Sequence, residues 1–278
     1  MNALTLAPIV TAVALGASSA WGATALGSEL ASFAVLGGSD VTSANVSTIG
    51  GNLGSSPTAP TAPASQFIFT AGSYQPGTQS AAQTQLTSAR VAIGSSPAGP
   101  SSLNGTFAPG TYNFGAGLLG AAQTLVLDGN GFNNAMWVFR FASTLTTVQG
   151  SSFSIVNIGN GANVGLYWNV GSSATLDGDT FAGNVLALTS ITSNGNLTMN
   201  CGRLLAQNGN VTLDGVGATI SNSCGSAGVP GFGSNGFDQG VVVAAIPTPG
   251  AFLLLGSGLA GLLFFRKRPI AVGERRGA

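Results

Sequence analysis

Between residues 23 and 224, apolar residues come in short runs broken every few positions by Gly, Asn, Ser and Asp. Runs of that length bounded by turn residues predict β-strands. One segment departs from the pattern. In SAAQTQLTSARVAI (residues 80–93), Ala82, Leu86 and Ala89 to Ile93 form a rough apolar stripe at helical spacing, and Gly94-Ser95-Ser96-Pro97 stops it. This predicts a single helix. The Pro/Ala/Thr-rich stretch before it, residues 55–65, predicts an extended loop.

The second half carries an internal repeat. Gly165-Leu166-Tyr167-Trp168, Gly183-Asn184-Val185-Leu186 and Gly202-Arg203-Leu204-Leu205 open three similar segments, with their glycines 18 and 19 residues apart. Each is followed by a second β-like run: Ser173-Ala174-Thr175-Leu176, Ser190-Ile191-Thr192 and Asn210-Val211-Thr212-Leu213. A unit of this size cannot bury its apolar side chains alone. Stacked units can, so the repeat predicts a β-solenoid whose coils lie about 4.8 Å apart and align equivalent side chains in ladders.

The two ends read as targeting segments. Residues 1–22 contain an apolar run, Leu4 to Leu15, then small residues at Ala20 and Gly22; they predict a secretory signal cleaved after Gly22. Residues 225–245 begin Gly/Ser/Asn-rich without periodicity and predict a flexible linker. Residues 246–268 hold Pro247 and Pro249, an apolar run from Ala251 to Phe265, and the stop Arg266-Lys267-Arg268. An apolar helix closed by a basic cluster predicts a membrane anchor with that end inside. Fifteen residues span only about 22 Å, short for a hydrocarbon core of about 30 Å. A basic tail, 269–278, follows.

Charge sharpens this division. Only 6% of the 278 residues are charged, against about 25% in an ordinary soluble domain. Residues 23–245 are net −4, with Glu29, Asp40, Asp128, Asp177, Asp179, Asp214 and Asp238 against Arg90, Arg140 and Arg203; residues 266–278 are net +4. Three dispersed arginines give no footprint for nucleic acid. The absence of His removes the commonest general base and metal ligand.

A family resemblance emerges from FAVLGG at 33–38, GNLGSSP at 51–57, PGTY at 109–112, LVLDG at 125–129 and WVFRF at 137–141 with STLT at 143–146. It continues through VGSSATL at 170–176, FAGNVLA at 181–187 and GRLLA at 202–206. Taken in this order over residues 26–224, these motifs resemble the ice-binding protein family of irregular β-solenoids. The resemblance implies a mostly β domain: a right-handed β-helix of triangular section with one α-helix packed alongside, the place of the 80–93 segment. The Pro-x-Pro, apolar helix and basic cluster likewise resemble the PEP-CTERM sorting signal of Gram-negative bacteria. That implies an exosortase-type protease as a processing partner and release to the cell envelope or beyond, although Thr248 stands where that signal often has Glu.

The family also implies an ice crystal surface as partner, met by a flat array of Thr, Ser, Asn and Ala. Candidates here are Thr144, Thr146, Thr147, Thr175, Thr180, Thr192, Thr198 and Thr212; at each, β-propensity alone also accounts for the threonine. Family members often carry Thr-Ala/Gly-x-Thr/Asn on that face. The equivalent places, 177–180, 194–197 and 214–217, lack the opening Thr and hold Asp177, Asp179 and Asp214 instead. Those acids raise Ca²⁺ binding and a glycosidase pair as alternatives, against ordinary Asp-Gly turn chemistry. The reading adopted has no catalytic residue, metal or cofactor. Its rival is a structural or adhesive extracellular-matrix solenoid without ice affinity. Cys201 and Cys224, about one coil apart in an exported domain, are expected to form a disulfide, with two buried thiols as the alternative. Trp137, Tyr167 and Trp168 are expected in packing roles.

Overall fold

The structure, a computed structural model, describes residues 26–178, 180–224 and 236–238. The segment expected as a secretory signal and everything from 239 onward, including Pro247, Pro249, Arg266, Lys267 and Arg268, lie outside the described residues. Among the described residues no helix is long and apolar enough to cross a membrane. They are mostly β, in four parallel sheets of eight, six, four and three strands, here A, B, C and D.

Successive strands visit the sheets in rotation. Met136–Phe141 lies in A, Leu145–Thr147 in B and Ser152–Val156 in D; Gly183–Ala187, Ile191–Ser193 and Thr198–Asn200 lie in A, B and C. Each such circuit is one coil, paired in register with the next. The patterns of A and B differ for a physical reason. Strands of A, such as Phe33–Gly37, Gly183–Ala187 and Gly202–Ala206, are buried along their whole length. One side faces the interior, where Trp137, Phe139, Trp168, Val185 and Leu204 pack; the other lies beneath a helix. A sheet covered on both faces reads as an uninterrupted apolar run. Strands of B have one outward residue between two buried ones, and read as alternating.

That helix is α2, Ser80–Ile93, with the bounds its pattern predicts. Ala82, Leu86, Ala89 and Ile93 pack on Val138, Tyr167, Leu186 and Leu205 of sheet A. A second, four-residue helix, α1 (Ser28–Ala31), which the sequence pattern did not reveal, buries Leu30 beside α2 and donates the Leu30 N–H to Gln85 Oε1 (2.9 Å). The length of α2 matters to the topology. The first coil, Phe33–Gly37 onward, stacks on the last one, Val35 opposite Leu204. The next coil, from Asn52–Ser55, extends the stack beyond it. The chain must then return to the far end, where Gly110–Phe114 closes sheet A. A 14-residue helix spans about 21 Å, close to the five coil steps of about 4.8 Å between Asn52–Ser55 and Met136–Phe141.

The repeat is real but its register differs at one step. Gly183 is paired with Gly202, as the glycine spacing implies, but Tyr167 is paired with Asn184, a step of 17 residues instead of 18. Gly183 sits at φ 90°, and a Cβ there would lie 2.4 Å from Leu166 Cγ; a Cβ on Gly202 would lie 2.3 Å from the Gly183 carbonyl oxygen. The glycines are therefore fixed by close coil stacking at the corner into sheet A. In the interior Trp168 stacks on Phe139 with centroids 4.4 Å apart and planes 14° apart. Trp137 and Trp168 donate their indole N–H groups to the Phe107 and Ala182 carbonyls (3.0 and 2.8 Å). Cys201 and Cys224 are joined by a disulfide, Cα atoms 4.1 Å apart, between the corners of adjacent coils.

Within the supposed linker, Gly236, Phe237 and Asp238 are docked on the domain. Phe237 is 1% exposed and packs with the main core. Its carbonyl accepts from the Leu166 N–H (3.0 Å) and Asn184 Nδ2 (2.9 Å), and Asp238 forms an antiparallel bridge with Gly165. Arg203, fully buried, donates to the Gly236 carbonyl (3.1 Å) and Asn184 Oδ1 (2.7 Å), and pairs with Asp238 at 3.6 Å. A buried guanidinium needs a counter-charge, and here the chain supplies it from beyond the last coil.

Candidate functional site

The outward position of sheet B is occupied by threonine on five consecutive coils. Thr146 is opposite Thr175, Thr175 opposite Thr192, Thr192 opposite Thr212, and Thr212 opposite Thr42. Their neighbours Leu145, Ala174, Ile191, Val211 and Val41 turn inward and are buried. Parallel pairing sets the rungs about 4.8 Å apart, so the ladder runs about 19 Å. Leu118, opposite Thr146 and 46% exposed, ends it. Two residues upstream in each strand a second polar row runs alongside: Thr144, Ser173, Ser190, Asn210 and Asp40. Ser173 and Ser190 share a hydrogen bond of 3.0 Å, and Thr42 Oγ1 donates to Thr212 Oγ1 at 3.3 Å.

Of the eight threonines singled out from the sequence, Thr144, Thr146, Thr175, Thr192 and Thr212 share this face. Thr147 does not: it is 3% exposed, points inward by strand alternation, and its Oγ1 accepts from the Asp177 N–H (3.1 Å). Thr180 and Thr198 belong to another ladder, continued by Thr219 and Thr48 of sheet C. A groove of about 310 Å³ lined by Phe153, Phe181, Thr180 and Thr198 breaks the surface beside that ladder, whereas sheet B is continuous along its row. The sequence reading missed Thr42. Its Val41-Thr42 motif was visible, but the rung it forms joins residues 170 apart.

The places equivalent to the family's Thr-Ala/Gly-x-Thr/Asn pattern are corner turns leading out of sheet B. Gly195 and Gly215 adopt φ 68° and 87°, the turn chemistry of an Asn-Gly and an Asp-Gly pair. Asp177 and Asp214 therefore sit at the rim. One intervening coil, with Asn194 at the equivalent place, separates them; Asp179 lies outside the described residues. Asp40 is engaged elsewhere: Oδ1 accepts from the Val41 and Thr61 N–H groups, both at 2.7 Å, and Oδ2 from the Thr61 hydroxyl. Among the described residues, no three His, Cys, Asp or Glu side chains group closely enough to hold a metal ion. Trp137, Tyr167 and Trp168 are wholly buried, Tyr167 beneath α2 and the others inside the coils.

This row can offer a flat, rigid line of methyl and hydroxyl groups with no charge along its spine. Threonine in a strand holds few rotamers, so the groups are fixed before any partner arrives.

The comparisons with known proteins agree with this architecture. An ice-binding protein of Nostoc sp. (strain HG1) is 40% identical over 248 residues, covering 85% of this chain and 84% of the relative. The crystal structure of an ice binding protein from an Antarctic Biological Consortium has a TM-score of 0.62 at 28% identity, over 78% of this chain and 96% of that one. That of an ice-binding protein from the Antarctic ascomycete Antarctomyces psychrotrophicus gives 0.60 at 33%, over 70% and 96%. The family model described as Ice-binding-like matches residues 35–219, nearly the whole stack of coils, and with this degree of identity the chain belongs to that family.

Proposed function

We propose that the protein binds ice through the outward row of sheet B: Thr42, Thr146, Thr175, Thr192 and Thr212, with Thr144, Ser173, Ser190 and Asn210 alongside. The single observation that carries this is the unbroken register of five threonines. Ice presents neither charge nor pocket, so recognition needs a surface that holds water at a fixed repeat. The family relatives named for ice binding support the same reading. Purified protein is expected to inhibit ice recrystallisation, and Thr192→Tyr, at the middle of the row, to lose most of that activity without a change in melting temperature. Ice growth indistinguishable from an inert protein, or a fully active Thr192→Tyr variant, refutes the assignment.

The rest of the organisation belongs to the same proposal. The coils wind right-handed around a triangular section, supported by the strong preference of parallel crossovers for that hand and by the rotation of strands through three faces. Residues 1–22 direct export. Residues 246–268, with Pro247, Pro249 and Arg266-Lys267-Arg268, form a PEP-CTERM-type signal that holds the chain in the membrane until an exosortase-type protease releases it to the envelope or medium of a Gram-negative cell. Chains recovered from native cells should end near residues 247–249; intact protein that retains Arg266-Lys267-Arg268 in the membrane fraction refutes processing. The protein carries out no catalysis, a reading supported by the coil that intervenes between Asp177 and Asp214 and by a sequence without histidine.

A further inference from the structure

The side of the coils formed by sheets C and D is broken where the two sheets meet. Sheet D ends at the edge strand Ser152–Val156, and sheet C ends at Thr198–Asn200, which Thr180 extends by an isolated bridge. Strand Ser152–Val156 and Thr180 lie on successive coils, yet the Phe181 N–H donates to the Thr198 carbonyl (3.1 Å), on the side of C. Among the described residues no backbone ladder joins Ser152–Val156 to this side. Side chains alone make the join, with the Phe153 and Phe181 rings 5.1 Å apart between centroids. The groove of about 310 Å³ lies at this break. Phe153, Ile155, Phe181, Ala182 and Phe237 give it an apolar lining, and none of its described lining residues is charged. An open edge strand is a template for pairing. An edge beside apolar walls fits an extended, uncharged, β-branched segment.

The chain carries such a segment next to the groove. Phe237, one of the lining residues, belongs to the docked stretch 236–238. Asp238 bridges Gly165 in the antiparallel sense, and the Phe237 carbonyl accepts from the Leu166 N–H (3.0 Å). Beyond Asp238 the same course leads back past Val164, toward the turn that follows Ser152–Val156. The next residues are Gln239-Gly240-Val241-Val242-Val243. They carry no charge, and the first proline after them is Pro247. Val241 to Val243 lie three to five residues past Asp238, a reach of about 10 to 17 Å in an extended chain. That is enough to pass from Phe237 along the five residues of Ser152–Val156.

We propose that the groove is a docking site for the chain's own segment Val241–Val243, added as a strand along the open edge of Ser152–Val156. Counted from the buried Phe237, strand alternation puts Val241 and Val243 on the groove side and Val242 on the outer side. The two inward valines meet the Phe153, Ile155 and Phe181 lining, and the added backbone covers an edge that would otherwise pair with another copy. The domain then extends through Val243 rather than Asp238. This docking uses neither sheet B nor its threonine row, so it stands or falls independently of ice binding.

The test is the rate at which a water-soluble maleimide labels Val241→Cys, Val242→Cys and Val243→Cys, each made in the full chain. The two native cysteines are joined in the Cys201–Cys224 disulfide, so the introduced thiol is the target. Under native conditions Val241→Cys and Val243→Cys should label about tenfold more slowly than Val242→Cys, because they react only after local opening. In denaturant all three should label alike. Ser154→Trp, at a partly buried lining position of the edge strand, should fill the groove and raise the two slow rates to that of Val242→Cys. The alternation among the three cysteine variants carries the test if Ser154→Trp does not fold. Equal native rates at all three positions overturn the proposal, as does protection that survives a folded Ser154→Trp variant. Protection that is lost on dilution assigns the groove to a second copy and overturns it as well.

Discussion

Removal of Asp238 tests whether the folded domain extends past its last coil. The guanidinium of Arg203 is wholly buried and its Nη2 lies 3.6 Å from Asp238 Oδ2, itself 3% exposed. Arg203 also donates Nε and Nη2 to the Ala31 carbonyl (3.1 and 2.8 Å), so it ties the N-terminal helix to the docked segment. Burial depresses its pKa, and the Asp238 charge works against that depression. In Asp238→Ala the desolvated cation loses its counter-charge, which costs about 3–5 kcal/mol when one partner of a buried pair is deleted. Phe237→Ala should cost a similar amount, about 3–5 kcal/mol, for a large core side chain. The two touch the same site, so they should not add fully. For a domain of this size each kcal/mol moves the melting temperature by about 2–4 °C. Asp238→Ala should therefore melt roughly 6–20 °C lower by the same conversion, and a chain ending at Cys224 lower still. Circular dichroism or calorimetry under non-reducing conditions measures this. The double variant Arg203→Met/Asp238→Leu should recover most of the loss, since apolar replacement of both partners is often neutral or better. A melting temperature for Asp238→Ala within a degree or two of wild type refutes the reasoning, and with it the docking of residues 236–238.

Two further outcomes follow from the stack of coils. The Cys201–Cys224 bridge closes a loop of 23 residues, for which chain-entropy reasoning gives about 3 kcal/mol; Cys224→Ala or reduction should lower the melting temperature, and an unchanged value after complete reduction argues against it. Leu118 ends the threonine row while 46% exposed; Leu118→Thr should lengthen the row by one rung, leave stability within about 0.5 kcal/mol as for other surface changes, and raise recrystallisation inhibition, whereas a fall in activity would place the working surface elsewhere.

Much of this protein was legible in its sequence because the deciding forces are local. Short runs between turn residues gave strands. The stripe from Ala82 to Ile93 gave α2 with its observed bounds, because helix periodicity and a Gly-Ser-Ser-Pro stop act within a few residues. The repeat at Gly183 and Gly202 gave stacking, since only glycine fits where one corner meets the next. Even the orientation of Thr147 was available: with Leu145 turned inward, period-two alternation turns Thr147 inward too, and Thr146 out.

Tertiary structure alone decided the rest, because it depends on which distant coils meet. Thr42 joins the threonine row through a rung to Thr212, and nothing within either coil announces that the first coil stacks on the last. The 17-residue step between Tyr167 and Asn184 replaced the 18 of the glycine spacing because strand register, not residue identity, aligns the coils. Phe237 and Asp238 stand in a Gly-rich stretch with no period to reveal them; Phe237 packs into the core and Asp238 pairs with Arg203, contacts that only the folded coils create. Parallel stacking puts Asn194 between Asp177 and Asp214, so the two acids do not lie on neighbouring coils. Side-chain periodicity fixes which residues face out, and non-local pairing fixes which of them share a face.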